Sequence, residues 1–572
     1  MINKIKPLTF FFVCCWAYST AQITISGVVL DASSHQPLPF ANILTENGDG
    51  GITNENGKFI MEMETMPDRL QASYMGYEMK EVLLQEGTFF YPIKISPISL
   101  ELMEVQVMAN DENAASFFYT AIEKSRKASI STRHAKLFRR TYSTIGEGTP
   151  TELLEGYYNA AIEEGGVRSF DIKNGRIGVP INNYLLQFDL CKVLEGYNFY
   201  GDNRGYFPST PLQEKSAKRI LKDYYVRYAG SFVSSADTIV KITFESKKPG
   251  SAFDGAAFIN KSNLQIVRVV HDVKKADHIP FQPVRNRKGT SLENMGLKWD
   301  TGFEIINGSP VPKYMHLILN MDFVYGTERA ALKSNTKLFF YDYQNLFTLP
   351  VFDDTEELND YDKIMAVPYN QEFWRRATVL PETGMEERFR KDLENSQLFV
   401  NDRPSDEHID LLNNKFQLIQ SGTTPAWEKV PDSKLATYDS QTRSTLGTDP
   451  YNGLFAKTLL FLDYNCFEDS TQFKVSAILD YSRSYMVSKN ELEGAFFMKY
   501  LQFSNQHASK FEEALTEKYH DKCPTREDLL LDLKNAEKAM KKEFFALFNG
   551  QKKRDDDYLA RLETMLNQNS LR

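Results

Sequence analysis

At 572 residues the chain exceeds what one hydrophobic core can serve, since cores stop growing near roughly 250–300 residues, so several domains of about 150 residues are expected. Its 42% apolar and 25% charged residues exclude wholesale disorder, and 40 Phe with 29 Tyr lean towards β-sheet. A net charge of −9 without a basic stripe lacks the electrostatic footprint of a nucleic-acid binder. The short clusters Arg285-Asn286-Arg287-Lys288 and Gln551-Lys552-Lys553-Arg554 read as solvated turns.

Residues 1–21 read as a secretory signal peptide. Lys4 and Lys6 form a positive start, Leu8 to Ala17 a short apolar stretch, and Ser19-Thr20-Ala21 a small-residue site for cleavage between Ala21 and Gln22. Losing those two lysines takes the charge from −9 to −11. The apolar stretch is shorter than the roughly 20 residues a bilayer core demands. Cys14 follows Val13 and Cys15 follows Cys14, so neither has the small preceding residue that lipid attachment requires. Cys191, Cys466 and Cys523 remain; an odd count permits at most one bridge. Cys466 with Cys523 is the pair expected if a bridge forms, and three buried small hydrophobes is the other reading. No later apolar run is long enough to span, so no transmembrane segment is expected after leader removal.

In residues 22–109, Ile23 to Leu30 alternates as a strand and Pro37-Leu38-Pro39-Phe40-Ala41-Asn42-Ile43 restarts one. Asn47-Gly48-Asp49-Gly50-Gly51 and Asn54-Glu55-Asn56-Gly57 are turns, the second ending in a favoured hairpin dipeptide. Further short strands are expected at Leu70 to Ser73, Met79 to Leu84 and Phe89 to Ile95, which together call for a small antiparallel sandwich. Gly27-Val28-Val29-Leu30-Asp31, Gln36 to Ile43, Gly51 to Phe59 and Tyr74-Met75-Gly76-Tyr77 together resemble the carboxypeptidase regulatory-like domain. The resemblance implies structural roles for Gly27, Pro37, Ala41, Asn56, Gly57, Phe59, Gly76 and Tyr77, with the Asn56-Gly57 turn closing a hairpin. It implies an exported modular architecture and no reaction. Asn54 and Asn56 stand where acids are common, which speaks against calcium in that turn. Leu102 to Ala109 looks like an exit strand.

Residues 110–350 begin with helical spacing from Asn113 to Lys127, where Ala114, Phe117, Phe118, Ala121 and Ile122 share a face. Strands follow at Phe138 to Ile145, Leu153 to Ile162, Val167 to Ile177 and Thr238 to Phe244. Gly255 to Ile259 and Leu264 to Val270 flank Asn260-Lys261-Ser262-Asn263 as an antiparallel hairpin. Lys298 to Ile306, Val311 to Met321 and Leu338 to Tyr343 extend the sheet. A helix followed by this meander resembles the half-barrel of lipoprotein-sorting proteins, a curved sheet around a helix with an apolar concavity for an acyl chain. Filled core is the plainer reading of that concavity.

Residues 351–474 read as an irregular or mixed connecting region. The aromatic junction Met365, Tyr369, Phe373 and Trp374 is taken as packing, and Glu394 to Thr448 as a long excursion. Residues 475–572 read as helical, with helices at Glu491 to Phe503, from Thr525 to Asn549-Gly550, and at Tyr558 to Leu566. The fold class expected is multidomain α+β: N-terminal antiparallel β-sandwich, middle antiparallel curved sheet with helix, mostly helical C-terminal region.

Chemistry is sparse. None of the histidines has Glu three residues later, HExxH is absent, and there is neither a G-x-S-x-G elbow nor a P-loop. His271 and His278 beside Asp272 and Asp277 are the nearest approach to a metal cluster, and are read as no site. No catalytic residue, cofactor or metal is expected. The reading is an exported non-enzymatic envelope protein, in the periplasm, at the outer membrane or secreted, that binds or scaffolds an envelope protein, lipid, lipoprotein or glycan. The rival is a polymer- or glycan-acting hydrolase with an unrecognised carboxylate pair. Such a pair should lie about 5–10 Å apart in an open cleft. An apolar half-barrel would instead favour lipid handling, and a filled interior with an exposed apolar patch a protein partner.

Overall fold

The computed structural model describes residues 23–46, 50–63, 65–85, 87–98, 111–180, 188–203, 205–234, 237–281, 289–352, 359–367, 370, 373–374, 379–396, 398–399, 416–419, 454–466, 471–486, 491–520, 522–546 and most of 559–567. The leader with Ala21 and Gln22, the exit strand, both basic clusters and most of the excursion after Glu394 lie outside these residues. The chain divides into two units, Met1–Ile98 with Arg376–Pro381, and Ser99–Arg375 with Glu382–Arg572.

The first unit holds β1 (Ile23–Asp31), β2 (Asn42–Thr45), β3 (Gly50–Ile52), β4 (Lys58–Met63), β5 (Arg69–Ser73), β6 (Lys80–Leu83) and β7 (Phe90–Ile95). They form two sheets, in the orders β4-β1-β7 and β3-β2-β5-β6. Period-two alternation turns Ile25 and Val29 of β1, Tyr91, Ile93 and Ile95 of β7, and Leu70 and Ala72 of β5 into one buried core. The strands of this sandwich pair antiparallel, as expected, except β1 with β7, which run parallel. One expectation needs correction. The Asn56-Gly57 turn closes no hairpin between sheet partners, because β3 pairs with β2 and β4 with β1: it carries the chain from one sheet to the other.

The second unit opens with helix α1 (Asp111–Ala128), whose Ala114, Ala115, Phe118, Ala121 and Ile122 are buried. β8 (Arg133–Ile145), β9 (Thr149–Glu163) and β10 (Gly166–Gly178) follow, then the short helices α2 (Leu190–Glu195) and α3 (Ala217–Asp223). β11 (Tyr224–Ser234), β12 (Asp237–Ser246), β13 (Asp254–Asn260), β14 (Gln265–Val273), β15 (Thr290–Ile306), β16 (Ser309–Tyr325) and β17 (Glu328–Tyr341) complete a sheet in the order β10-β9-β8-β17-β16-β15-β14-β13-β12-β11. Every pairing in it is antiparallel, including the expected β13–β14 hairpin. Helix α1 packs against β11, β14 and β16. In a flat sheet with strands about 4.8 Å apart, β11 and β16 would be some 24 Å distant, more than twice a helix diameter, so the sheet curls around α1. Its concave side is filled by one core that includes Phe118, Tyr158, Tyr197, Phe199, Phe244 and Trp299.

β18 (Val351–Phe352), α4 (Asp360–Ala366), α5 (Gly384–Asn395), β19 (Phe416–Ile419), β20 (Leu454–Cys466), β21 (Thr471–Met486), α6 (Glu491–Lys518) and α7 (Arg526–Ala546) form the remainder. The sheet β18-β20-β21-β19 revises the reading of 351–474 as irregular and of 475 as the start of helix, which begins at Glu491. The reason is burial on both faces. Leu460 and Leu462 of β20 pack among α6 and α7, while their neighbours Leu459 and Phe461 join Val367 on the other side. A strand covered twice reads as an unbroken apolar run, which periodicity does not tell from buried helix. Cys466 and Cys523 form a disulfide that ties the end of β20 to the α6–α7 connection, and Cys191 is free and buried.

Candidate functional site

A small, partly enclosed cleft with a cavity volume of about 20 Å³ lies on the concave face of the ten-stranded sheet. Strand alternation makes it two-sided. Along β8, Arg139, Thr141 and Ser143 point inward, while Arg140 and Tyr142 point outward to α5, where Arg140 meets Glu386 and Tyr142 meets Phe389. Thr336 and Ser334 of β17 lie in register with Thr141 and Ser143, and Glu152 of β9 with Ser143. These residues and Tyr361 of α4 make a polar end. Leu297, Leu317 and Leu319 from β15 and β16, Leu190 of α2, Phe188 and Phe281 make an apolar end.

The polar end is tightly bonded. The Tyr361 hydroxyl donates to Glu152 Oε1 at 2.5 Å, and the Ser143 hydroxyl reaches Oε2 at 3.2 Å. Burial pushes the Glu152 carboxyl above the ordinary range against those hydrogen bonds and the nearby Arg139 charge. Arg139 Nη1 donates to Asp360 Oδ2 at 2.5 Å and to Cys191 Sγ at 3.2 Å, and its Nε to Thr141 Oγ1 at 3.3 Å. Asp360 Oδ2 also accepts from the Cys191 backbone N–H at 2.9 Å. Glycines let α4 come this close. Gly156 and Gly175 continue the row from Arg139 across β9 and β10, and a Cβ on Gly175 would lie 2.8 Å from Ile364. Beside Asp360 stands Asp189, whose Oδ1 accepts the Asp360 backbone N–H at 3.4 Å.

Among the described residues the cleft lining has no His, Cys or Lys, and adjacent Cys191 is a buried thiol pushed well up by burial and by Asp360. Asp360 is engaged by Arg139 and by the Cys191 backbone N–H, and its own N–H reaches Asp189. No group of His, Cys, Asp and Glu suited to a metal occurs among the described residues. His271 is buried, 2.7 Å from Thr210 Oγ1, whereas His278 is exposed and Asp277 accepts from Ser251. Phe373 and Trp374 pack on Tyr157, and Trp374 Nε1 donates to Asn174 at 2.6 Å. Sequence reading passed over Arg139, Glu152, Asp189, Asp360 and Tyr361. The available signal was Arg139-Arg140 inside a strand, since one of two adjacent arginines must face the core.

In the first unit a Cβ on Gly27 would stand 2.1 Å from the Tyr91 carbonyl oxygen and 2.5 Å from the Phe59 ring. Gly57 has φ +69° and a would-be Cβ 2.5 Å from the Val29 oxygen, so only glycine fits there. Asn54 Oδ1 accepts the backbone N–H groups of Asn56 and Lys58 at 2.9 and 3.0 Å. Residues 25–114 match the model of the CarboxypepD_reg-like domain.

No curated protein matches the chain. Among solved structures, a LolA superfamily protein from Nitrosomonas europaea aligns at 9% identity over 40% of this chain and 93% of its own, with a TM-score of 0.17. MucB in complex with MucA(peri) aligns at 8% over 39% and 93%, with a TM-score of 0.13. A DUF1329 family protein from Desulfovibrio piger aligns at 10% over 40% and 93%, with a TM-score of 0.16. Overlaps this low carry no argument about ligand or partner.

Within the CarboxypepD_reg-like domain the other motif residues have plain structural places. Ala41 N–H donates to Thr53 Oγ1 at 2.9 Å, Pro37 bridges to Leu30, and Phe59 is buried. Gly76, at φ +85°, accepts from Ile98 N–H, and the Tyr77 hydroxyl donates to Asp31 at 2.7 Å. Asn54 also donates through Nδ2 to the Pro381 oxygen at 3.2 Å, a bond that an acid at this position would lack.

Proposed function

We propose that the chain is an exported, non-enzymatic envelope binding protein whose curved-sheet unit takes a small amphiphile in the concave cleft. The observation that carries this reading is the cleft's division into a leucine- and phenylalanine-lined end and an end holding Arg139, Glu152, Tyr361 and four hydroxyl-bearing strand positions. Apolar walls with a few converging polar groups are what ligand sites present. The cleft would widen on binding, so that a tail lies along Leu297, Leu317 and Leu319 with its head at Arg139 and Glu152. Export is supported by the leader-like start, the match of residues 25–114 to the CarboxypepD_reg-like domain, and the Cys466–Cys523 disulfide, which belongs to an oxidising compartment. Among the described residues no helix is long and apolar enough to cross a membrane.

Dansyl-undecanoic acid is the probe. Titrated into the protein, it should show saturable blue-shifted emission that lauric acid displaces. Leu319→Arg, which sets a charge against the tail wall, should weaken binding at least about tenfold, the scale of one lost buried contact of 1.4 kcal/mol. Non-saturable emission, or a variant binding as well as the parent, overturns the reading. Export is tested separately by cell fractionation: the envelope form should begin at Gln22, and an intact cytosolic chain contradicts it.

A further inference from the structure

Helix α3 settles on the curved-sheet core through Ala217, Ile220 and Leu221, and packs against α1 and β11. That seating turns Lys218, Arg219 and Lys222 to solvent on one face, three and four residues apart, with exposed Lys215 just ahead of the Ser216 N-cap. The neighbouring strands add charge of the same sign. Lys247, just past β12, gives its backbone N–H to the Asp223 oxygen at 2.8 Å and its Nζ to the Leu221 oxygen at 2.6 Å, which closes the last turn of α3. Lys248 pairs with Asp223 at 2.7 Å. The Lys247 ammonium stands 4.5 Å from the centre of the exposed Tyr225 ring, and exposed Arg227 follows on the same face of β11.

This face runs against local preference. Cations at such spacing repel along a helix, and the first turn of α3 holds Lys218 and Arg219 with no acid, where the helix dipole favours one. Among the described residues the side chains of Lys215, Lys218, Arg219, Lys222 and Arg227 have neither a hydrogen bond nor an ion pair. From Glu214 to Arg227 and from Glu245 to Lys248, seven cations face three acids, on a chain whose total charge is −9. A local rule broken without repayment inside the fold points to a use outside it.

We propose that α3, with the adjoining ends of β11 and β12, is a docking face for a bilayer surface rich in anionic phospholipid. The cations on α3 meet a plane of phosphates, and Tyr225 brings an amphipathic ring suited to the headgroup layer, apolar on its face and polar at its hydroxyl. An added acidic peptide strand fits less well. β11 ends the sheet, but a bulge between Tyr228 and Ser231, where Gly230 has φ +118°, breaks its ladder, and such breaks protect edges from pairing. The inference goes beyond the cleft reading and needs no ligand in the cleft.

Vesicle sedimentation tests it, with the chain from Gln22 on, which keeps every described residue and leaves out the apolar start. Vesicles of phosphatidylcholine with about 30% phosphatidylglycerol should carry the protein down at low salt, and pure phosphatidylcholine vesicles should not. Binding should fade as NaCl rises to about 0.5 M. At about fivefold per charge near such a surface, Lys218→Gln, Arg219→Gln and Lys222→Gln combined should weaken partitioning about a hundredfold. Lys534→Gln, Lys538→Gln and Lys542→Gln combined should bind as the parent does; these lysines are exposed on α7, where five cations meet five acids. The two variants carry the same net charge, so any difference between them reads position alone. Equal sedimentation with both vesicle types, or equal loss in the two variants, overturns the proposal. Capture by poly-glutamate without vesicle binding overturns it in favour of an acidic polypeptide. Circular dichroism guards the comparison: should the α3 variant be unfolded, the single changes Lys218→Gln and Lys222→Gln replace it, each expected to lose about fivefold, and unchanged binding in both overturns the proposal. Failure of fatty-acid binding in the cleft leaves this result untouched.

Discussion

His271 stands wholly buried among Phe199, Phe244 and Phe253, and desolvation drives its pKa down to about 3. An imidazole that titrates near 6.5 in the unfolded chain binds fewer protons in the native state between those values. Its contribution is thus present above about pH 6.5 and is lost as pH falls towards 3. At about 1.4 kcal/mol per unit, several kcal/mol are at stake. Urea midpoints should drop between pH 7 and pH 4, and His271→Phe should flatten that slope; an unchanged slope refutes the assignment. Asp189 works in the opposite sense. Its native pKa is raised to about 7, so its contribution is full below about pH 4 and fades as pH rises through 7. Between about pH 4 and pH 6.5 the two contributions run in opposite directions, so the His271 share is read from the difference between His271→Phe and the parent.

At the level of elements, β20 and β21 depend on cover from both sides. α6 and α7 supply one face through Phe496, Phe497, Leu529 and Leu533, and the disulfide fixes the far end of β20 to the turn between those helices. The bridge spans 57 residues of sequence, and closing such a loop in the unfolded chain is worth roughly 4 kcal/mol in the chain-entropy account. Replacing Cys466 and Cys523 together by Ser should lower stability by about 2–4 kcal/mol, read as a shifted denaturation midpoint. Equal stability of the reduced and oxidised forms would falsify a structural role. On the outer face of β8, α5 lies over a buried ion network in which Glu386 meets Lys337 at 2.7 Å and Glu155 joins Arg140 to Arg176. Such pairs fix the seat of a helix more than they strengthen it, because desolvation offsets most of the attraction.

For the whole molecule, separate cores mean separable unfolding. The CarboxypepD_reg-like domain buries its own cluster around Ile25, Phe59 and Ile93, and the second unit builds its cores from residues after 110. Scanning calorimetry of the full chain should resolve more than one transition. Gly27→Val, which drives a side chain into the Tyr91 carbonyl oxygen, should cost more than about 3 kcal/mol and shift the sandwich transition alone. One merged transition that moves as a whole would contradict independent cores. The sequence by itself determined what local chemistry determines: the positive-φ glycine at 57, the apolar stripe of α1, the Asn260–Asn263 hairpin turn and the alternation of the middle strands. These depend on periods of two and 3.6 residues and on turn residues, all contained within a few positions. Only the tertiary structure decided the parallel β1–β7 pairing, the strand character of Leu454–Cys466 and Thr471–Met486, and the cleft. Arg139, Asp189 and Asp360 lie 50 and 171 residues apart along the chain, counted between neighbours in that order. Nothing local records their meeting, because it is set by which faces of α2, α4 and β8 are buried together.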